Sequence, residues 1–273
     1  MRVGIPARES IMSPGSSFGS DSSAQFTRRA FVRGTAALLA CGAAGSVFAQ
    51  APAPVSQYTR VDPISLPLDR PGVWTLNFAY TPIRILSVEM PNKSKKTVWY
   101  MIYQVYNRTD TPHQFIPEFE LVTKDTPAAY MDEPQPWIVK KIREIEDPTG
   151  ALNIQTSISI SKTKIPVTKP DSIPRAVHGV AVWLDVVEKS PTTNAFSVYI
   201  TGLSNGLARA DTEGGEIISR KTLQLDFQRP TDNQRNGVND IRPNDNNGLG
   251  AEKWVYRPAS MRKKPVAPAP AGN

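Results

Sequence analysis

The chain has 273 residues, 32 Lys+Arg against 25 Asp+Glu, and a formal net charge of +7. One Cys excludes a disulfide framework and a cysteine-based zinc cluster, and two His leave little for a histidine-rich metal site. No apolar run reaches the roughly 20 residues that a spanning helix needs, so the sequence predicts no transmembrane span.

The first predicted element is an export signal over residues 1–49. Arg28 and Arg29 are adjacent, Phe31 follows two positions on, and the mild apolar stretch Gly34 to Phe48 comes after them. A basic n-region, a short apolar h-region and small residues before a cut are the parts such a signal needs. This arrangement resembles a twin-arginine signal, the address of a pathway that exports folded proteins through the twin-arginine translocase. Val47-Phe48-Ala49 predicts cleavage between Ala49 and Gln50. A second reading attaches to Leu38-Leu39-Ala40-Cys41, which resembles a lipobox and would leave a membrane-anchored lipoprotein through Cys41. Cleavage after Ala49 instead leaves a periplasmic or extracellular chain without cysteine. Removing five Arg and two acids from 32 and 25 leaves 27 basic and 23 acidic residues. Much of the basic excess therefore goes with the signal, and no nucleic-acid partner is expected.

Residues 50–71, with Ala51-Pro52-Ala53-Pro54 and prolines at 63, 67 and 71, read as an extended Pro/Ala-rich linker. Residues 258–273 read as a basic, Pro-rich disordered tail. Between them lies one domain, 72–257. Val73–Phe78 and Ile83–Met90 are predicted strands. Thr97–Tyr106 is β-branched and aromatic on both faces, which predicts a central strand buried on both sides. Phe115–Thr123 alternates, with Phe119 and Leu121 on one face and Glu118 and Glu120 on the other. Pro134–Glu146 places Ile138, Ile142 and Ile145 at helical spacing and ends at Asp147-Pro148-Thr149-Gly150, so one helix is expected to cap an open end or edge of a sheet. Asn153–Ile160, Ala176–Leu184, Ala195–Thr201, Glu216–Phe227 and Lys253–Tyr256 complete the predicted strands. Eight or nine strands with one helix predict a mainly β fold, a two-sheet immunoglobulin-like sandwich held by core packing alone.

Val98–Arg108, Phe115–Thr123, Val177–Leu184, Phe196–Asn205 and Arg220–Pro230 together resemble exported proteins of planctomycete-type bacteria. The resemblance covers most of 72–257. It implies export and a single-domain organisation and brings no catalytic residues.

Several residues are weighed for chemistry. The loop 231–250 is rich in Asp and Asn, and Asp232, Asn236, Asp240 and Asp245 form a candidate calcium loop; Pro243 stands where a bidentate Glu belongs, and Arg235 and Arg242 add positive charge. The alternative is a solvated Asx-rich loop without cofactor. His113 and His178 have no local partner motif. Gly202-Leu203-Ser204-Asn205-Gly206 reads as a turn whose glycines supply positive φ. Trp99, Tyr100, Tyr103, Tyr106, Trp137 and Trp183 read as core first and as a binding surface second. Glu118, Glu120, Asp185 and Asp226 are the acids from which a paired-carboxylate hydrolase would have to be built. The expectation is an exported, non-enzymatic module that binds or scaffolds an envelope protein or glycan. The alternative is an extracytoplasmic hydrolase of an envelope or environmental polymer.

Overall fold

A computed structural model describes residues 58–212, 215–229 and 241–262, with the backbone alone for 260–262. Arg28, Arg29, Phe31, Cys41, Ala49 and Gln50 lie outside the described residues, as do Asp232, Asn236 and Asp240.

Two sheets dominate. The first comprises β1 (Thr59–Val61), β2 (Asn77–Tyr80), β3 (Arg84–Glu89), β4 (Lys95–Tyr106), β8 (Gln155–Thr156) and β10 (Val177–Trp183). They run in the order β1-β2-β4-β10-β8, with β3 also on β4. The second comprises β6 (Glu118–Thr123), β7 (Ala129–Met131), β11 (Ala195–Thr201), β12 (Leu207–Thr212), β13 (Gly215–Gln228), β14 (Arg242–Pro243) and β15 (Glu252–Arg262). Its order is β12-β13-β11-β6-β7, and β14 and β15 also pair with β13. β5 (His113–Gln114) and β9 (Lys164–Ile165) form a small separate ladder. The ladders are antiparallel except for β8 on β10. The expected mainly β, two-sheet sandwich is therefore the observed fold.

The period-2 pattern sets the layers. On β4, Trp99, Met101, Tyr103 and Val105 point into the core between the sheets, with Phe119, Leu121, Phe196, Val198, Leu223, Leu225 and Phe227 from the second sheet. Val98, Tyr100 and Ile102 point the other way, into a second core. The helix α1 (Pro136–Glu146) covers that outer face with Ile138, Val139 and Ile142. Fully burying each of these contributes about 1.5–3 kcal/mol. The helix thus lies on a sheet face, not on an open end or edge, because β4 and β10 are apolar on both sides and need a cover. Ile145, one of its predicted apolar positions, is exposed. Glu146 fastens the C-terminal end, accepting from the Tyr100 hydroxyl at 2.7 Å and pairing with Arg84.

Three expectations change. Asn153–Ile160 is not one strand: after β8 the chain turns into the short helix α2 (Ser157–Ile160). Thr156 and Ser159 make a reciprocal capping box, which outweighs the alternating isoleucines. Residues 58–71 are not a linker. Val61 is buried on β1, Tyr58 and Leu66 pack on the two cores, and the segment is anchored by Lys221, whose Nζ donates to Asp69 at 2.6 Å and to the Ile64 carbonyl at 2.7 Å. The prolines at 63, 67 and 71 all follow β1 and take no place in its ladder, so they break no strand hydrogen bond. At the other end, β15 carries the domain past 257 to Arg262. A last helical turn, α3 (Val186–Lys189), follows Asp185.

Candidate functional site

The first sheet is covered on both faces. The second sheet is covered on its inner face, and its outer face carries the polar half of each alternating strand. On β6 the outward residues are Glu118 and Glu120; on β11 they are Tyr199 and Thr201; on β13, Arg220 and Thr222; on β15, Arg257. Register brings them together: Tyr199 faces Glu120, Thr201 faces Glu118, and Arg220 faces Arg257. Two arginines side by side would repel. Glu118 stands 3.7 Å from Arg220 and accepts from the Thr201 hydroxyl at 3.1 Å, while Glu120 pairs with Arg257. The Arg257 guanidinium also lies over the Tyr199 ring, 4.0 Å from its centroid. These residues, with Met131 and Pro258, line a depression of about 290 Å³.

A second depression of about 470 Å³ shares Glu118 and Arg220 with the first, so the two form one groove. Trp74, Ile116, Gly202, Asn205 and Leu207 continue it. The loop 202–206 places Trp74. Asn205 Oδ1 accepts from the Trp74 amide at 2.8 Å, and the Ser204 hydroxyl donates to the Trp74 carbonyl at 2.6 Å. Trp74 then stacks on His113, ring centroids 4.0 Å apart and 10° from parallel. Burial and nearby Lys164 hold the His113 pKa below its usual value, which favours the neutral ring in this stack. Gly202 has φ +87°, and a Cβ there would stand 2.1 Å from the Ile116 carbonyl oxygen. Of the two glycines expected to supply positive φ in this turn, Gly202 does and Gly206 does not; Gly202 also sets the groove wall. Ile116 is 59% and Leu207 44% exposed, which gives the groove an aliphatic rim around a charge-matched floor.

Of the four acids considered for a carboxylate pair, the structure brings together Glu118 and Glu120. Each is committed to an arginine. Asp185 sits in the left-handed region at φ 61° and pairs with Lys96 at 2.6 Å and Lys189 at 3.2 Å. Asp226 is on the outer face of the second sheet but is buried there. Its carboxylate accepts from Ser197, from Gln224 at 2.9 Å, from Lys124 at 3.0 Å and from Asn246 at 2.9 Å, with Lys253 at 3.4 Å. Burial acts to raise its pKa, but these donors prevail and bring it down to about 2.

The described half of the Asx-rich loop closes over this carboxylate. Asn246 Nδ2 also donates to the carbonyls of Asn244 and Gly250, and the Asp245 carbonyl accepts from Gly248 and Gly250. One of its side-chain amides, that of Asn246, serves the Asp226 carboxylate, a use that composition does not reveal. Among the described residues no group of three or more His, Cys, Asp or Glu could hold a metal ion. His178 meets Gln104 at 2.9 Å. Trp99, Tyr100, Tyr103, Tyr106 and Trp183 are buried, which is the core reading of those aromatics, while Trp137 is half-buried against the second core. A third depression, of about 260 Å³, is lined by Asp132, Glu133, Asp185 and Lys189. Burial raises the Asp132 pKa to about 6, against hydrogen bonds from Ser157 and the Val182 amide.

Fold and groove together define a helix-backed β-sandwich with one open, charge-matched sheet face. Comparison with known proteins finds no family model, no curated protein and no solved structure that matches the chain.

Proposed function

We propose that this chain is an exported, non-enzymatic binding module, and that it grips a segment of a protein partner in the groove on the outer face of its second sheet. The observation that carries the reading is the groove's mosaic: exposed Ile116, Leu207 and Met131 around a floor of matched Arg–Glu pairs. Aliphatic side chains ringing polar anchors fit a peptide surface. A glycan would call for open aromatic faces. Here Trp74 has one face on His113, and Tyr199 has one under Arg257. The hydrolase reading would draw on Glu118 and Glu120, whose engagement with Arg220, Thr201 and Arg257 favours a binding floor. Export rests on Arg28, Arg29, Phe31 and the small residues before Gln50.

The test is site-directed photocrosslinking in the host envelope, with the probe at Ile116 and, as control, at exposed Lys140 on the helix. A polypeptide captured from Ile116 alone is then purified and its affinity measured directly. Ile116→Asp with Leu207→Asp is expected to weaken that affinity at least about tenfold, since two buried apolar contacts of about 1 kcal/mol each are lost. Equal capture from both sites, or an affinity indifferent to the double substitution, would overturn the reading.

A further inference from the structure

β12 is the end strand of the second sheet. It pairs with β13 from Leu207 opposite Arg220 to Thr212 opposite Gly215, without a register break. Among the described residues no strand pairs with its other edge. An edge strand offers alternate N–H and C=O groups to a further strand, and proteins that avoid this place charged side chains, Pro or a bulge there. Leu207-Ala208-Arg209-Ala210-Asp211-Thr212 has no Pro and no bulge, and its two charged side chains, Arg209 and Asp211, are opposite in sign. Leu207, Arg209, Ala210 and Asp211 are all exposed.

We propose that this edge is a self-association surface. Two copies of the chain pair β12 to β12, antiparallel and centred on Ala210, so that two sheets become one across a two-fold axis.

The charges select the partner and the register. A two-fold axis perpendicular to a continuous sheet runs between the two strands and sets one residue opposite its own copy, because residues directly opposite must point to the same face. Centring on Arg209 puts like charge against like, and centring on Asp211 does the same. Centring on Ala210 sets two small side chains at the axis. It also puts Arg209 opposite the partner's Asp211, and Asp211 opposite the partner's Arg209. Opposite charges directly across an antiparallel pair stabilise it, and like charges destabilise it.

The charges within one chain point the same way. Asp211 lies directly across from Glu216, a like-charge pair. Arg209 leans to Glu216 at 3.3 Å and relieves that acid. Among the described residues no cation pairs with Asp211. A second copy supplies it, and the edge is complementary to itself. Leu207 belongs both to this edge and to the groove rim, but Arg209 and Asp211, the charges that set the register, line neither depression of the groove, so variants at 209 and 211 test the edge apart from the groove.

The experiment is sedimentation equilibrium of the full chain over a concentration series, with urea melts of each variant as a check on folding. The wild type is expected to dimerise. Raising ionic strength from about 0.05 to about 0.5 M is expected to weaken the dimer, because the pairs at its edge are screened. Asp211→Arg is the informative single change. Within the chain it places a cation across from Glu216, so the fold keeps its stability; across the axis it sets Arg against the partner's Arg209 twice. The dimer dissociation constant is expected to rise at least about tenfold. Arg209→Asp combined with Asp211→Arg restores opposite charges in the same register, and is expected to return the constant to within about threefold of wild type. Hydrogen exchange reads the same edge without substitution: alternate β12 amides gain protection as protein concentration rises. A wild type that stays monomeric at about 100 µM overturns the proposal, as does a dimer as tight in Asp211→Arg as in the wild type. A double variant as weak as the single one overturns the register.

Discussion

Replacing Asp226 by Asn removes one negative charge from a site built to hold it. The carboxylate is 1% exposed, and Ser197, Gln224, Lys124, Asn246 and Lys253 converge on its two oxygens. Its pKa falls from an ordinary 3.8 to about 2. The folded state therefore holds the proton less tightly than the unfolded chain, and the site contributes stability that is fully present above about pH 5 and lost as pH falls through 2. The size follows from the shift. Nearly two pKa units correspond to about 2 kcal/mol at pH 7, about half of that at pH 3, and a few tenths at pH 2. Lys124 and Lys253 are 40% and 35% exposed, so each can turn to water when its partner is neutralised. The cost of Asp226→Asn thus stays near the linkage figure and below the 3–5 kcal/mol of a fully buried broken pair.

The assay is urea denaturation of the wild type and Asp226→Asn at pH 7, 5, 3 and 2. The gap is expected to be about 2 kcal/mol at the two higher pH values, and to close progressively below pH 4. A gap that stays constant from pH 7 to pH 2 would refute the electrostatic account, for it would mean that shape and hydrogen-bond geometry, not charge, set the cost. A gap below about 0.5 kcal/mol at pH 7 would refute the assignment of Asp226 as the anchor of loop 241–250.

Asp132 is expected to show the opposite sign. Its folded pKa of about 6 lies above the ordinary 3.8, so its ionisation opposes folding increasingly as pH rises from 4 through 6, and Asp132→Asn stabilises at pH 7 but not at pH 3 in the same melts. Gly202→Ala combines φ +87° with a backbone clash at the Ile116 carbonyl and is expected to cost about 2 kcal/mol or more by urea melting, with loss of any groove ligand. Gly179→Ala drives a Cβ into the Tyr103 ring, 2.3 Å from Cζ, and is expected to cost about 1–3 kcal/mol; the penalty shrinks in a Tyr103→Leu background, which a double-mutant cycle measures. Lys221→Met leaves the Asp69 carboxylate without its ammonium and is expected to cost about 2–3 kcal/mol and to speed proteolysis within 62–70, with Asp69→Asn restoring part of the loss.

Strand content and facing were legible because alternation is local. Residues 97–106 read as buried on both faces and are so; Glu118 and Glu120 read as outward and are so. Misreadings arose where a short-range device overrides periodicity. Thr156 and Ser159 cap a helical turn inside an alternating run, and one buried Lys pins a Pro-rich segment that composition assigns to a linker. The groove was legible only in halves. Glu118 and Glu120 were visible as acids on one strand face, but Arg220 and Arg257 join them only through β6–β11 and β13–β15 pairing, across separations that carry no local signal.

The same limit explains Asp226. In sequence it is one of several acids on strands; in space it is the residue that the Asx-rich loop and two lysines enclose. A buried carboxylate with five donors is a structural anchor, whereas two surface carboxylates matched to arginines and rimmed by Ile116 and Leu207 form a surface that another molecule can compete for. That contrast in satisfaction, and not the identity of any single residue, separates the part of the second sheet's outer face that holds the fold together from the part proposed as a binding groove.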